Sequence, residues 1–385
     1  MAMTRRHLLQ AASVWAGGVV LSGALPRAAT GKQPPAPVPS PLHGTREILA
    51  PLINTYARLE DDPWVLMHGV RAMGRDFSIK GENAVDYLCS RYLKRKTVAG
   101  KSYLYMPPDL EGHTNVLLKT VLEAGVSPSH PIQVDGKRYT VGDLANSSKG
   151  LFIFDPKTID RDEIAWTLIA FSLHIPSSRD TWINAYGQRI RFADVVRFGF
   201  DTLDDATRQL WRAKEREVMP DARDAVMGLT CGGTHLVYGL ASCVANGYGA
   251  EGLARRLKDH LDLHIWRLEA DGYLMDRFYR EAPSPRARGE QKIYALYHND
   301  AALKFYGHSF EILSYVTRRH LFTPSPSQAR AIEKAGARLA EAVKAIKGTD
   351  LFEFRGTNQR LFHLLVGDSC HAYHGIHMVP GVNQV

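Results

Sequence analysis

Six stretches of this sequence repeat apolar side chains at three- and four-residue spacing: residues 64–73, 116–126, 164–173, 236–244, 305–316 and 361–378. That period returns side chains to one face of an α-helix, and so it restricts each stretch to a largely buried helix. Between them lie segments with one apolar and one charged face, at 84–93, 192–200, 253–268 and 329–346. In the last of these, Ile332, Ala335, Leu339, Val343 and Ile346 line one side, and Glu, Lys and Arg occupy the other. This is the composition of a helix that faces outward. The alternation predicts a mainly all-α body, with buried helices covered by amphipathic ones.

A shorter pattern punctuates the helices. Ile132, Gly136, Arg138, Asp143 and Leu144 recur 51 residues later as Ile183, Gly187, Arg189, Asp194 and Val195. Residues 79–88, with Gly81 and Asp86, read as a shortened copy. Each copy predicts a tight turn at the glycine between two brief extended pieces, then a helix carrying the Asp. Repeats near this period accompany helical hairpins that are stacked or closed on themselves. With its six apolar segments the chain resembles the (α/α) toroids, and the resemblance implies about six helical hairpins around a central cavity. The toroid domain would cover residues 46–385, with small β-hairpins in the connections. An open α-solenoid would want more regular repeats.

The first residues read Thr4-Arg5-Arg6-His7-Leu8-Leu9-Gln10, ahead of residues 11–25, which contain no ionisable side chain. That apolar stretch is short for a membrane span and has the length of a signal-peptide core. Residues 1–29 resemble a twin-arginine (Tat) export signal, with Leu8 where that family most often has Phe and Gln10 where it often has Lys. The resemblance implies passage of the folded chain through the Tat translocase, to the periplasm or beyond. Ser22-Gly23-Ala24 offers a cleavage point. Residues 30–45, with five prolines between 31 and 41, read as an extended linker.

Loss of Arg5, Arg6 and Arg27 with the signal lowers the formal charge from +8 to +5. Without a long Lys/Arg block this gives no footing for nucleic acid. A basic cleft for an anionic polymer stays open. Cys231 and Cys243, twelve residues apart across a predicted helix, would lie about 15 Å from one another, too far for a disulfide. Cys89 and Cys370 read as free, and there is no C-x-x-C motif.

Sixteen histidines carry most of the chemical signal. Gly112-His113, Gly232-Gly233-Thr234-His235 and Tyr306-Gly307-His308 each set an imidazole beside glycine at or near an inner helix, where backbone and ligand approach closely. Along 234–246, His235, Tyr238, Gly239, Ser242 and Cys243 share one helical face and read as a cavity wall. At the C-terminus His363, Gly367, Cys370, His371 and His374 share another, with His377 one turn on. The spacing of His371 and His374 serves a shared metal, a substrate or a proton relay, and Asp368 would orient a neighbouring ring. The His-Glu-x-x-His pattern of zinc helices is absent.

Residues 294–308 gather His298, Asn299, Asp300, Lys304, Tyr306 and His308. In residue type this set is similar to that of polysaccharide lyases built on (α/α) toroids. There an amide neutralises a uronate, His or Tyr removes the C5 proton, and Tyr protonates the leaving oxygen. Arg286 and Arg288, in a Pro/Arg/Gly-rich loop, would meet a carboxylate. Glycoside hydrolysis would need two carboxylates, and Asp271, Asp276, Asp300, Glu311 and Asp368 are candidates outside any discriminating motif. Nucleophile-elbow, P-loop and dinucleotide fingerprints are missing.

Three function classes follow. The leading one is an exported carbohydrate-active enzyme, a lyase or hydrolase, acting on a carbohydrate polymer or small-molecule ligand. Its central cavity would gather His235, Tyr238, His298, Asn299, Tyr306, His308, His371 and His374. The second is a metal-dependent protein using the C-terminal histidines. The third is a non-catalytic helical ligand-binding or scaffold protein, without convergent ionisable groups. No motif names a cofactor.

Overall fold

The computed structural model describes residues 41–220, 225–250, 252–282 and 288–377, so the predicted export signal and most of the linker lie outside the described residues. Among those residues the chain is mainly helical, with fourteen α-helices and four two-stranded antiparallel sheets. In chain order the helices are α1 (Thr45–Tyr56), α2 (Pro63–Met73), α3 (Ala84–Tyr92), α4 (Pro108–Glu111), α5 (Val116–Glu123), α6 (Val141–Leu151) and α7 (Ile164–His174). The second half supplies α8 (Phe192–Glu215), α9 (Thr234–Ala245), α10 (Leu253–Glu281), α11 (Arg288–Arg318), α12 (Pro326–Ile346), α13 (Phe352–Arg355) and α14 (Gln359–His377). None of the described helices is both long and apolar enough to cross a membrane.

The apolar segments pack on one another in a fixed order. α2 lies against α5, α5 against α7, α7 against α9, α9 against α11 and α11 against α14, and α14 returns to α2. Amphipathic helices flank this succession: α1 on α14, α6 on α5 and α7, α8 on α7 and α9, α10 on α9 and α11, α12 on α11. Sequence explains the division. Every residue of α7 from Ile164 to Ser172 is buried. In α8 burial follows one face, through Phe192, Val195, Val196, Gly199, Phe200, Leu203 and Leu210. Small residues let the helices approach: a side chain at Gly199 would come within 2.9 Å of Leu168, and one at Gly239 within 2.9 Å of the Ala165 carbonyl.

The three copies of the Gly–Asp pattern fold as hairpins: β1 (Ser78–Ile79) with β2 (Glu82–Asn83), β5 (Pro131–Val134) with β6 (Lys137–Thr140), and β7 (Thr181–Ile183) with β8 (Arg189–Arg191). In the first two the turn is two residues long, and both have positive φ: Lys80 at 49° and Gly81 at 80°, Asp135 at 49° and Gly136 at 71°. These signs match the twist of the flanking strands, which explains the glycine. The third copy has a longer turn, held by Asn184 Oδ1, which accepts the amides of Tyr186 (3.0 Å) and Gln188 (2.9 Å). Each hairpin runs into a helix whose third residue is the repeated Asp. Asp143 closes a capping box with Thr140, Asp86 accepts from His130 Nε2 at 2.7 Å, and Asp194 pairs with Arg197 at 3.0 Å. A further hairpin, β3 (Lys94–Val98) with β4 (Lys101–Tyr105), turns at Ala99-Gly100. Its Lys/Arg-rich strands lack the alternation that marks a strand in sequence.

Candidate functional site: a histidine-lined cavity

The inner helices leave between them a cavity of about 100 Å³. Each of the six delivers side chains to it. α2 supplies Trp64, His68 and Arg71, α5 Lys119, α7 Trp166, α9 His235, α11 Lys304 and His308, and α14 Asp368 and His371. Just outside the α-helices, His113, Thr230 and Cys231 add to the lining. Small residues shape the walls. A side chain at Gly367 would stand 2.6 Å from the Trp64 ring, so glycine there admits the indole.

The imidazoles touch one another. His308 and His371 stack at 3.9 Å between centroids, His235 meets His308 edge-on at 4.6 Å, and His68 meets His371 edge-on at 5.2 Å. Three of them have their proton placed by an acceptor. His68 Nδ1 lies 2.7 Å from the Trp64 carbonyl, His308 Nδ1 2.7 Å from the Lys304 carbonyl, and His371 Nδ1 2.8 Å from Glu311 Oε2. An acceptor without hydrogen requires N–H at Nδ1, which leaves Nε2 as a bare lone pair in the neutral ring. Burial keeps these rings neutral: it depresses His68 to about 3 and His308 to about 4, and holds His235 and His371 well below the ordinary histidine range. The Nε2 atom of His308 is buried and has no hydrogen-bond partner among the described residues.

Behind the imidazoles stands a network of charges. Glu311 accepts from Arg71 Nε, His371 Nδ1 and His374 Nδ1, each at 2.8 Å. Burial pushes this carboxyl up, but Arg71 and the two imidazoles outweigh it and keep Glu311 ionised. Arg71 also pairs with Glu123, which takes Lys119 at 3.2 Å. One donor of Arg71, Nη2, is buried without a hydrogen-bond partner among the described residues. Burial and the neighbouring guanidinium lower Lys119 to about 8, against a partial offset from Glu123. On the opposite wall, burial raises Asp300 and Asp368 above the ordinary carboxyl range, while these two carboxyls hold Lys304 charged.

Cys231 occupies a strained turn. Its φ of 52° and ψ of 35° are left-handed, followed by Gly232 and Gly233 with φ of 62° and 77°. Anchors flank the turn: the Thr230 amide donates to Asp162 Oδ1 at 2.6 Å, and Arg267 Nη1 donates to the Gly232 carbonyl at 2.9 Å. Burial raises the thiol to about 12. All four cysteines are free thiols.

Of the residues singled out from sequence, His235, His308 and His371 line the cavity, and so do His113, Cys231, Lys304 and Asp368. His374 stands one layer back, behind Glu311. The others do not line it. Tyr238 turns towards Arg71 (5.4 Å to the ring) and Tyr315. Tyr306 is packed against Gly272 and donates to the Leu268 carbonyl at 3.3 Å. His298 stacks on Tyr279 with Asp276 3.4 Å away, and half-buried Asn299 is its neighbour on α11. The polar stripe of α9 is a packing seam below His235: Ser242 bonds Ser172 at 2.8 Å and Cys243 donates to the Leu168 carbonyl at 3.6 Å. Arg286 and the side chains of Arg288 and His377 lie outside the described residues.

His68, Arg71, Lys119 and the two tryptophans were not anticipated. A signal was present: Trp64, His68 and Arg71 fall at i, i+4 and i+7, and so on one face of an otherwise apolar helix. No protein-family model, curated protein or solved structure matches this chain.

Proposed function

We propose that the chain is an exported (α/α) toroid enzyme that performs acid–base chemistry on a small anionic carbohydrate, as a lyase acting on a terminal sugar. The return of α14 to α2 supports the toroid reading, since six helices then surround one cavity. The observation that carries the activity is the meeting of His371, Arg71 and Lys119 on that cavity. Glu311 fixes the proton of His371 on Nδ1, so Nε2 is the base. The free donor of Arg71 and the Lys119 ammonium suit a substrate carboxylate and the negative charge that develops beside it.

In this reading Nε2 takes the C5 proton of a uronate. The C–H electron pair becomes a C4–C5 double bond, the C4–O bond breaks, and the leaving oxygen takes a proton from Lys119. A lysine lowered to about 8 is matched to that task near neutral pH. Trp64, packed on His68 at 3.9 Å, and Trp166, stacked on His113 at 3.8 Å, give the sugar ring an aromatic wall. The small cavity suits a chain end better than a threaded polymer. Hydrolysis has less support, because Asp368 is the one carboxylate among the lining residues and its neighbour Asp300 is beside it rather than across the cavity.

The test is the release of ultraviolet-absorbing unsaturated product from a panel of uronate oligosaccharides. His371→Gln should lower the rate by about 10²–10⁴-fold with little change in melting temperature. Undiminished activity of that variant, or products lacking the double bond, would sink the reading.

Export through the Tat translocase is the second part of the proposal, on the strength of Arg5 and Arg6 ahead of an uncharged core. The double variant Arg5→Lys, Arg6→Lys should accumulate in the cytoplasm on cell fractionation. Normal export of it would remove the twin-arginine reading.

A further inference from the structure

We infer that Cys231, His235 and His308 form a binding site for a divalent transition-metal ion of the zinc type, with a fourth coordination position open to the cavity. One donor atom from each of the three lies within 4.8 Å of the others. Zinc bonds of 2.0–2.3 Å in a tetrahedron space the ligand atoms by about 3.5 Å, so the site closes by roughly an ångström. Side-chain rotation covers that distance.

Each ligand is prepared in a way its own packing does not require. The Lys304 carbonyl fixes the His308 ring and points Nε2 away from it, and that atom is buried without a partner. Buried polar atoms in folded proteins nearly always have one. His235, only 7% exposed, makes ring contacts with His308 and Trp166, and its nitrogens take no hydrogen bond from the described residues. Cys231 is held in a left-handed conformation that disfavours any residue with a Cβ, and the anchors through Asp162 and Arg267 maintain it. The turn sets the thiol beside the first turn of α9, where His235 stands.

The donor set selects the metal. One thiolate and two imidazoles favour zinc and its neighbours, whereas calcium and magnesium take oxygen. On binding, the sulfur–metal bond replaces the S–H bond and one proton passes to solvent. Nearby, Asp368 has Oδ2 3.6 Å from Lys304 Nζ and Oδ1 3.9 Å from His308 Nδ1. Three protein ligands with an open position is the pattern of catalytic rather than structural zinc. The site adjoins the lyase base, since His308 stacks on His371 at 3.9 Å and His235 meets it at 5.4 Å, but it shares no residue with His371, Arg71 and Lys119.

The experiment uses the full chain, exported without a tag, stripped with a chelator and titrated with Co²⁺. One equivalent should bind, with intense visible bands of tetrahedral cobalt and a near-ultraviolet thiolate-to-cobalt band. Cys231→Ser should abolish the thiolate band and weaken binding by roughly 100-fold or more, and His308→Ala should also lose the tetrahedral spectrum. His374→Ala, altered behind Glu311, should keep both bands, which separates this site from the C-terminal histidines. Circular dichroism checks that the variants fold, and the wild-type spectrum decides the matter even where one does not. Weak octahedral absorption in the wild type, or a thiolate band that survives Cys231→Ser, would overturn the proposal. Neither result depends on lyase activity.

Discussion

Replacing Glu311 by alanine should destabilise the folded chain by roughly 3–5 kcal/mol, the range for removing one member of a buried ion pair. The side chain is 3% exposed and accepts three hydrogen bonds from groups on two other helices. Arg71, Lys119, Glu123 and Glu311 together balance two positive and two negative charges away from water. Without Glu311 one positive charge is surplus, and Arg71 Nε and two imidazole N–H groups lose their acceptor. Lys119 is the group that can relieve this, because its pKa is already lowered to about 8 and the loss of an anion lowers it further. Its neutral form carries no penalty, so the cost should be least in alkali and greatest below pH 8. Glu311→Gln, which keeps the shape but turns an amide N–H group towards one donor, should fall between. Urea unfolding followed by tryptophan fluorescence measures the difference. A loss under about 1 kcal/mol would mean that the network merely breaks even against its desolvation.

Why Glu311 was visible in sequence only as an unplaced carboxylate is a matter of distance along the chain. Its partners Arg71 and His371 are 240 and 60 residues away, and no local pattern joins them. What depends on neighbours in sequence was legible. The apolar circumference of α7 and the one-sided burial of α8 follow from residue type at helical spacing, and the repeated Gly–Asp frame foretold three hairpins and the helix after each. Histidines beside glycines marked where inner helices meet the cavity. Two things take residues away from the cavity, distance along a helix and the direction of the side chain. His298 and His308 are close in sequence, but ten residues of helix carry them about 15 Å apart along α11. A helix spreads along its axis what a short segment gathers. Tyr238 is three residues from His235, yet its ring goes to Arg71. The α9 stripe reads from sequence as a cavity wall, but below His235 its partners are Ser172 and the Leu168 carbonyl rather than the cavity. Conversely, a charge inside an apolar helix, as with Arg71 and Lys119, was the overlooked sign of the cavity wall.

Replacing His264 by leucine should protect the chain against acid. The ring is 1% exposed on α10, and neither nitrogen is hydrogen-bonded among the described residues. Burial, aided by the charge of Arg267, depresses it to about 3, against about 6.5 in an unfolded chain. Between those values the unfolded state binds a proton that the folded state refuses. The folded state therefore keeps its full advantage above pH 6.5 and loses about 1.4 kcal/mol per pH unit as the pH falls towards 3. Leucine removes that loss. The variant should match or exceed the wild type at pH 7, because two unsatisfied polar atoms are replaced by carbon, and should lead it by roughly 3 kcal/mol at pH 4. Other buried groups bend the wild-type curve as well. His68, His235, His308 and His371 act in the same sense, whereas Glu111, raised to about 8 by burial, acts in the opposite one with Asp300 and Asp368. All of these are common to both proteins and cancel in the difference. Urea unfolding of the pair at pH 7, 6, 5 and 4 isolates the one proton. Parallel curves would show that His264 titrates in the folded state as it does in the unfolded chain.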